Sequence, residues 1–241
     1  MFQSVEIRRA INAQDVAEQA ASEILDRLLK AKGKFHIALT GGTVGILTLK
    51  HLAAKEATKT LELRDLHFWF GDERYVETDS PDRNFNQANE AMLSLLKIPT
   101  QNIHQFPATD NSDNLDQARE VFEQHIISQF GDVPVAMDLT ILGMGPDGHI
   151  ASLFPGHTHK ASLIVAESDS PKPPPQRLSF SMELINASKE IFFVVSGVDK
   201  AEVVEKVHKD PECDLPAAKV AGIGQTLWFI DEAAGAAFWS C

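Results

Sequence analysis

The chain has 241 residues, of which 44% are hydrophobic and 23% charged, and a formal net charge of −12. That length buries a sizeable core, and the composition is ordinary for a globular protein. With no basic stretch to offset it, the negative balance excludes nucleic acid and anionic membranes as partners and admits an anionic small molecule only where a few Arg or Lys side chains reverse the field.

In chain order, the segment 1–9 is charged and lacks an apolar h-region, so no signal peptide is expected. Small or apolar residues at helical spacing (Val16, Ala20, Ile24, Leu28) predict a helix over 15–30, with Gly33 as its stop. Residues 35–40 read as a short buried strand running into Gly41-Gly42, and 44–55 as a helix. Residues 66–70, with Phe68, Trp69 and Phe70, read as a core strand ending in Gly71. A helix over 85–96 and a short strand over 103–106 follow. The helical period returns over 115–130, with Gly131 beyond it.

The apolar run 137–142 predicts a buried strand leading into Gly143-Met144-Gly145-Pro146-Asp147-Gly148-His149. After residue 155, the short run 163–165 and prolines 171, 173, 174 and 175 predict a small irregular excursion. Residues 191–195 then read as a strand ending in Ser196-Gly197, with a helix from Lys200 towards His208 and a last strand over 226–230. Two lone thiols, Cys213 and Cys241, make neither a disulfide framework nor a zinc site, which suits a reducing cytoplasm. No apolar run approaches the length of a membrane span.

Strands separated by single helices imply an α/β fold: an open, mostly parallel, Rossmann-like sheet flanked by helices, built as one domain over 1–241. Open parallel sheets bind ligands at the carboxyl ends of their strands. The loops at Gly41, Gly71, Gly143 and Gly197 are therefore expected to converge on one face.

Gly143-x-Gly145-x-x-Gly148 matches the dinucleotide fingerprint, with Glu167 about 20 residues on. Against a nicotinamide or flavin site, Pro146 removes a backbone N–H from the loop that should cradle pyrophosphate. The chemical reading takes His149 as a general base near neutrality, oriented by Asp147 or by a carboxylate from another loop. The bland reading takes Pro146-Asp147-Gly148 as a turn and nothing more. Thr40-Gly41-Gly42-Thr43 lies between a strand and a helix, where two glycines let backbone N–H groups approach an anion. In Gly71-Asp72-Glu73-Arg74, Arg74 can clamp a phosphate bidentately and Asp72 can accept from a sugar hydroxyl or an imidazole; the alternative is a surface ion pair. Arg177 and Lys200 supply further positive charge. His157 and His159 lack a third ligand nearby and read as surface histidines, so no metal is expected. No Gly-x-Ser-x-Gly elbow supports serine hydrolysis.

Together these loops resemble the 6-phosphogluconolactonase family over almost the whole chain. The resemblance rests on Thr40-Gly41-Gly42-Thr43, on Trp69-Phe70-Gly71-Asp72-Glu73-Arg74-Tyr75-Val76, and most specifically on 138–155 with its Asp147-Gly148-His149-Ile150-Ala151-Ser152-Leu153-Phe154-Pro155. Pro174, Pro175, Arg177, Ile185-Asn186-Ala187, Ser196-Gly197 and Lys200 follow in the family's order. Two departures stand out. Val44-Gly45 replaces the family's Thr-Pro, and Arg83-Asn84 replaces its Ser-Asn, keeping Asn84 for substrate binding.

The resemblance implies hydrolysis of 6-phospho-D-glucono-1,5-lactone in the oxidative pentose phosphate pathway, without metal or nucleotide cofactor. His149 is then the base and Asp72 or Asp147 its orienter. Arg74 and Lys200 hold the phosphate with Gly41, Gly42 and Thr43, and Arg177 is a second candidate. The implied partner is a sugar phosphate, and the implied assembly a monomer or weak homodimer. Glucosamine-6-phosphate deaminases look like relatives, but there Phe-Asn-Glu follows the Asp-Gly-His-Ile-Ala run and supplies a catalytic glutamate. Here Ser152, Leu153 and Phe154 occupy those positions. A non-catalytic sugar-phosphate sensor would need the phosphate clamp but not Asp72, Asp147 and His149.

Overall fold

The computed structural model of the chain describes residues 4–210 and 212–239. In chain order its strands and α-helices are β1 (Ser4–Ala10), α1 (Ala13–Lys30), β2 (Phe35–Leu39), α2 (Gly42–Ala54), β3 (Leu66–Phe70), β4 (Asp72–Arg74), α3 (Asn84–Ala91) and α4 (Leu115–Phe130). There follow β5 (Leu139–Leu142), β6 (Ile164–Glu167), β7 (Arg177–Phe180), α5 (Met182–Asn186), β8 (Glu190–Val195), α6 (Ala201–Lys209), β9 (Gln225–Asp231) and α7 (Ala236–Trp239). Six strands form one sheet in the order β1-β9-β8-β5-β2-β3, every neighbouring pair parallel. This is the open, helix-flanked parallel sheet expected from the alternating pattern.

Local chemistry sets the elements. The Asn12 side chain accepts the N–H of Asp15 at 3.1 Å, while the Asp15 carboxylate accepts that of Ile11 at 2.8 Å. This reciprocal cap satisfies donors left free at the start of α1. The helix buries Val16, Ala20, Ile24 and Leu28 as its spacing predicts, and its alanines let it pack closely on α2 and on β8 and β9. All five residues of β3 are buried, as a strand covered on both faces requires.

One strand was not foreseen and three expectations need correction. The polar segment now assigned to β1 reads as featureless because it is a largely exposed edge strand, held by its register on β9 from Ser4↔Gln225 to Ala10↔Asp231. The strand predicted over 103–106 reduces to one bridge, Ile103 to Phe68, after which the chain leaves the sheet. The helix predicted over 85–96 ends at Ala91 and gives way to a 3₁₀ turn, Leu93–Leu95. The excursion after residue 155 is not irregular throughout: β6 and β7 pair with β4 in an antiparallel three-stranded sheet. Four-residue strands are too short to show a period. Gly71 joins the two sheets, its N–H donating to the Leu39 carbonyl and its carbonyl accepting from the Phe180 N–H, both at 2.8 Å.

Among the described residues no helix is long and apolar enough to cross a membrane. Cys213 is a half-buried free thiol, whereas Cys241 and residues 1–3 lie outside the described residues.

At the end of the sheet remote from the glycine loops, four imidazoles line up. His36 on β2 stacks on His67 of β3, whose Nδ1 lies 3.0 Å from His104 Nε2; His104 Nδ1 in turn lies 2.9 Å from His125 Nε2 on α4. Trp69 Nε1 donates to His36 Nδ1 at 3.0 Å, so that nitrogen must be an acceptor and the ring neutral. Burial pulls His36 down to about 4 and His104 to about 3, reinforced by their imidazole neighbours, and pulls His67 and His125 down as well.

These rings take protons more readily unfolded than folded, so stability falls as pH drops below about 6.5 and the loss levels off near the folded values of about 4 and 3. His36 alone accounts for about 3 kcal/mol at roughly 1.4 kcal/mol per pH unit. Urea denaturation of the wild type should therefore show stability dropping by several kcal/mol between pH 7 and 4. His104→Phe should make that fall shallower; an unchanged slope means the stack does not carry it.

Candidate active site

Strand order reverses between β2 and β5: β2 continues outward to β3, whereas β5 continues to β8 on the opposite side. Loops following such a pair diverge and leave a crevice at the carboxyl ends. The cleft there has a volume of about 490 Å³ and is lined by the loops after β2, β5 and β8, together with Asp72, Arg74 and Asn84 after β3. Gly41, Gly42, Thr43, His149, Arg177 and Lys200 also face it, while Asp147 stands behind His149.

The loop after β5 sets one wall. His149 Nδ1 lies 2.5 Å from Asp147 Oδ1, and Nε2 has no partner among the described residues. Gly145 makes room for this pair: a Cβ there would lie 2.0 Å from His149 Nδ1 and 2.4 Å from Asp147 Oδ1. The loop's own N–H groups are also engaged, Gly145 to the His149 carbonyl at 2.9 Å and Gly148 to the Gly145 carbonyl at 3.0 Å. Its glycines therefore serve a histidine–aspartate pair, and the loop does not present the free N–H nest of a dinucleotide site. Burial lowers His149 below the usual imidazole value, opposed by the bond and charge of Asp147. For Asp147, burial disfavours the carboxylate, but His149 outweighs it and holds the group low. The imidazole is neutral and its partner ionised at pH 7, with the proton on Nδ1 and Nε2 left as an acceptor. Phe154 packs against the His149 ring at 4.8 Å between centroids.

The second wall is built on buried carboxylates. Asp72 accepts from Ser152 Oγ at 2.7 Å and from Asn84 Nδ2 at 3.1 Å; it makes no hydrogen bond to His149. Asn84 Oδ1 accepts from Arg74 Nη1 at 2.9 Å, and the Asp82 carbonyl takes the same nitrogen at 2.7 Å. Arg74 Nε is buried without a hydrogen-bond partner. Glu73 points the other way, accepting the N–H groups of Arg74, Asn84 and Phe85 at 2.9, 2.7 and 2.9 Å and so capping α3. Burial pushes its carboxyl up to about 7, against the pull of Arg83 and those three donors. Arg83 lies 3.8 Å from Glu73, each side chain 1% exposed, and donates to the Phe106 carbonyl at 2.6 Å. The residue that departs from the family's serine is therefore a buried counter-ion.

Gly41 and the amino terminus of α2 form the floor. A Cβ on Gly41 would sit 2.0 Å from Asn84 Oδ1, so only glycine lets the loop meet the strand-end network. Thirteen-residue α2 starts here, with Gly42, Thr43, Val44 and Gly45 of its first turn lining the cleft. Lys200 reaches in from the loop after β8, paired with Asp199 at 2.9 Å. That loop is tied to β9 through Asp231, which accepts from Ser196 Oγ at 2.5 Å and from the Gly197 N–H at 3.2 Å.

Arg177 faces the cleft, yet its Nε and Nη2 donate to the carbonyls of Pro174, Lys172 and Pro173 at 3.2, 3.0 and 3.3 Å. It braces the proline loop. Lys172 on that loop also lines the cleft, a residue that sequence reasoning passed over because prolines dominated its surroundings. Ser152, quoted only as part of a motif, ties the histidine loop to Asp72. His157 and His159 are exposed as expected, but both approach the buried carboxylate of Glu167, at 2.7 and 3.7 Å. Among the described residues no group of three or more His, Cys, Asp or Glu side chains is placed to hold a metal ion.

Comparison with known proteins gives a consistent result. The family model for glucosamine-6-phosphate isomerases and 6-phosphogluconolactonase matches residues 11–228. The chain is 39% identical over 215 residues to the 6-phosphogluconolactonase of Mycobacterium tuberculosis, covering 86% of each. It is 35% identical to that of Rattus norvegicus, covering 97% of this chain and 91% of the relative. The crystal structure of 6-phosphogluconolactonase from Thermotoga maritima superposes with a TM-score of 0.82 at 31% identity, covering 95% of this chain and all of the other.

The Glu73–Arg83 pair yields a test. Above pH 7, where Glu73 is ionised, Arg83→Met leaves its buried carboxylate without a cation and should lower unfolding stability by up to about 3–5 kcal/mol. Glu73→Gln combined with Arg83→Met should recover a measurable part of that loss in a double-mutant cycle by urea denaturation. Additive losses would mean the two side chains do not act as a pair.

Proposed function

The chain belongs to the glucosamine-6-phosphate isomerase/6-phosphogluconolactonase family, and we propose that its cleft hydrolyses the lactone of 6-phosphogluconate, the reaction of the oxidative pentose phosphate pathway. One observation carries this reading: a neutral His149, bound to Asp147 through Nδ1, presents a free Nε2 to a cleft that also holds Arg74, Lys200 and the amino terminus of α2. The cations and the helix terminus suit the phosphate, and the buried, unpartnered Arg74 Nε suits one of its oxygens. The base suits a water molecule.

The chemistry follows from the geometry. Water attacks the lactone carbonyl carbon while His149 Nε2 takes its proton, and Asp147 stabilises the imidazolium. The carbonyl electrons move onto oxygen. When they return, the bond from that carbon to the ring oxygen breaks, and His149 gives its proton to the departing oxygen. Asp72 then makes its hydrogen bonds to Asn84 and Ser152 and acts on the imidazole only through its charge. This reading takes residues 1–241 as one catalytic unit that uses no metal or nucleotide, working in the cytoplasm as a monomer or weak homodimer. Phe154 stands against the deaminase alternative, because a phenyl ring cannot transfer a proton.

Proton release from freshly prepared 6-phosphogluconolactone tests the activity, and wild-type protein should exceed the spontaneous rate. His149→Ala should lower kcat by about 10²-fold or more. Because burial depresses His149, activity should persist below pH 6.5 before its acid limb begins. Asp147 raises the imidazole, so Asp147→Asn should reduce kcat and move that limb to lower pH. Near-wild-type turnover in His149→Ala would remove it from the role of base.

A further inference from the structure

Four cationic side chains line the cleft: Arg74, Lys172, Arg177 and Lys200. Three have protein partners for their head groups. Arg74 is tethered to Asn84 and the Asp82 carbonyl, Arg177 to three carbonyls of the proline loop, and Lys200 to Asp199. The Lys172 ammonium makes no hydrogen bond or ion pair among the described residues. Its backbone, by contrast, is pinned. The N–H donates to Ser170 Oγ at 3.2 Å, and the carbonyl accepts from Ser170 Oγ at 2.9 Å and from Arg177 Nη2 at 3.0 Å. A fixed main chain that delivers an unengaged cation into a cleft is how a protein presents a charge to a ligand.

The position within the cleft can be narrowed. Phosphate suits the end where Gly41 abuts Asn84 and Asn84 holds Arg74. Lys172 bears on the other end: its carbonyl is held by Arg177, whose guanidinium lies 5.9 Å over the Phe154 ring, and that ring packs against His149 at 4.8 Å. Its charge acts on His149 and Asp147 accordingly. We propose that Lys172 is a further catalytic residue, its ammonium entering the cleft that His149 faces to hold the negative charge that develops on the lactone carbonyl oxygen. This inference rests on the lactone-hydrolysis reading.

The chemistry requires such a group. As water adds to the carbonyl carbon and its proton passes to His149 Nε2, a full negative charge collects on the former carbonyl oxygen. A preorganised donor aimed at that oxygen stabilises the transition state more than the neutral ground state. When the ring C–O bond breaks, that oxygen becomes part of a carboxylate, still anionic, so the ammonium keeps a partner through product formation. The charged groups acting on the imidazole are then Asp147 and Asp72, which raise it, and Lys172, which lowers it.

Lys172→Met and Lys172→Arg, assayed on 6-phosphogluconolactone and on unphosphorylated glucono-δ-lactone, test the assignment. Lys172→Met should lose about 10²-fold in kcat on both substrates, with a smaller change in KM and with partial rescue by arginine. Its acid limb should move to higher pH, because a positive neighbour of His149 is gone. Arg74→Ala serves as the contrast, losing activity chiefly on the phosphorylated lactone. A Lys172→Met enzyme with wild-type kcat, or with a loss confined to the phosphorylated substrate, overturns the proposal, as does an unmoved acid limb. If wild type itself does not exceed the spontaneous rate, the lactonase reading fails, a result separate from any of these.

Discussion

Parallel neighbours whose following helices leave in opposite directions cannot be closed over by one crossover, and β2 and β5 are such a pair. The gap at their carboxyl ends is a consequence of strand order, before any catalytic residue is considered. What fills its walls is then decided by close approach. Gly41 touches Asn84, and Gly145 yields to the His149–Asp147 pair; in both places a single added carbon would collide at 2.0 Å. Glycine here works through the volume it leaves to a neighbour's side chain.

An acidic chain that binds an anion must concentrate its positive charge and keep it in place. Here fixed acceptors do so: Asn84 and the Asp82 carbonyl hold Arg74, loop carbonyls hold Arg177, and Asp199 holds Lys200. One layer further out, Glu73 fixes the start of α3 and therefore Asn84, and Arg83 balances the buried carboxylate of Glu73. Each fixed dipole or charge reduces the reorganisation required when the substrate's own charge changes. The small antiparallel sheet belongs to the same arrangement, since β4 carries Asp72 to Arg74 and pairs with β7, which begins at Arg177.

The parallel sheet was legible because its central strands are buried on both faces and separated by helices with a clear period, as in β5 and α1. The edge strand β1 was not, because its residues are polar and its pairing is decided by β9. Strands β6 and β7 escaped for a different reason: four residues beside a proline cluster show no alternation, and only tertiary pairing makes them a sheet. At the site, the glycine loops and the Asp147–His149 pair could be read from local spacing. The choice between Asp72 and Asp147 as the hydrogen-bond partner of His149 could not, since it turns on which loop turns back on itself. Arg83 and Lys172 were hidden because their meaning lies in contacts far along the chain, Arg83 with the carbonyl of Phe106 and Lys172 with the cleft.

Phe154 joins the fold to the chemistry. It is 3% exposed, packs on the His149 ring, and lies 5.9 Å from the Arg177 guanidinium carbon. As an apolar neighbour it helps keep water from the imidazole, and desolvation is the largest influence holding His149 neutral. It also fills a place where a carboxylate would introduce a second proton-transfer group. Hydrolysis of a ring ester does not require one, because the proton removed from water can be returned to the ring oxygen by the same imidazole. A ring-opening isomerisation moves protons at separate atoms and calls for more. A histidine with an aspartate behind it and a phenyl ring beside it can carry the proton transfers of the simpler reaction but not those of the other.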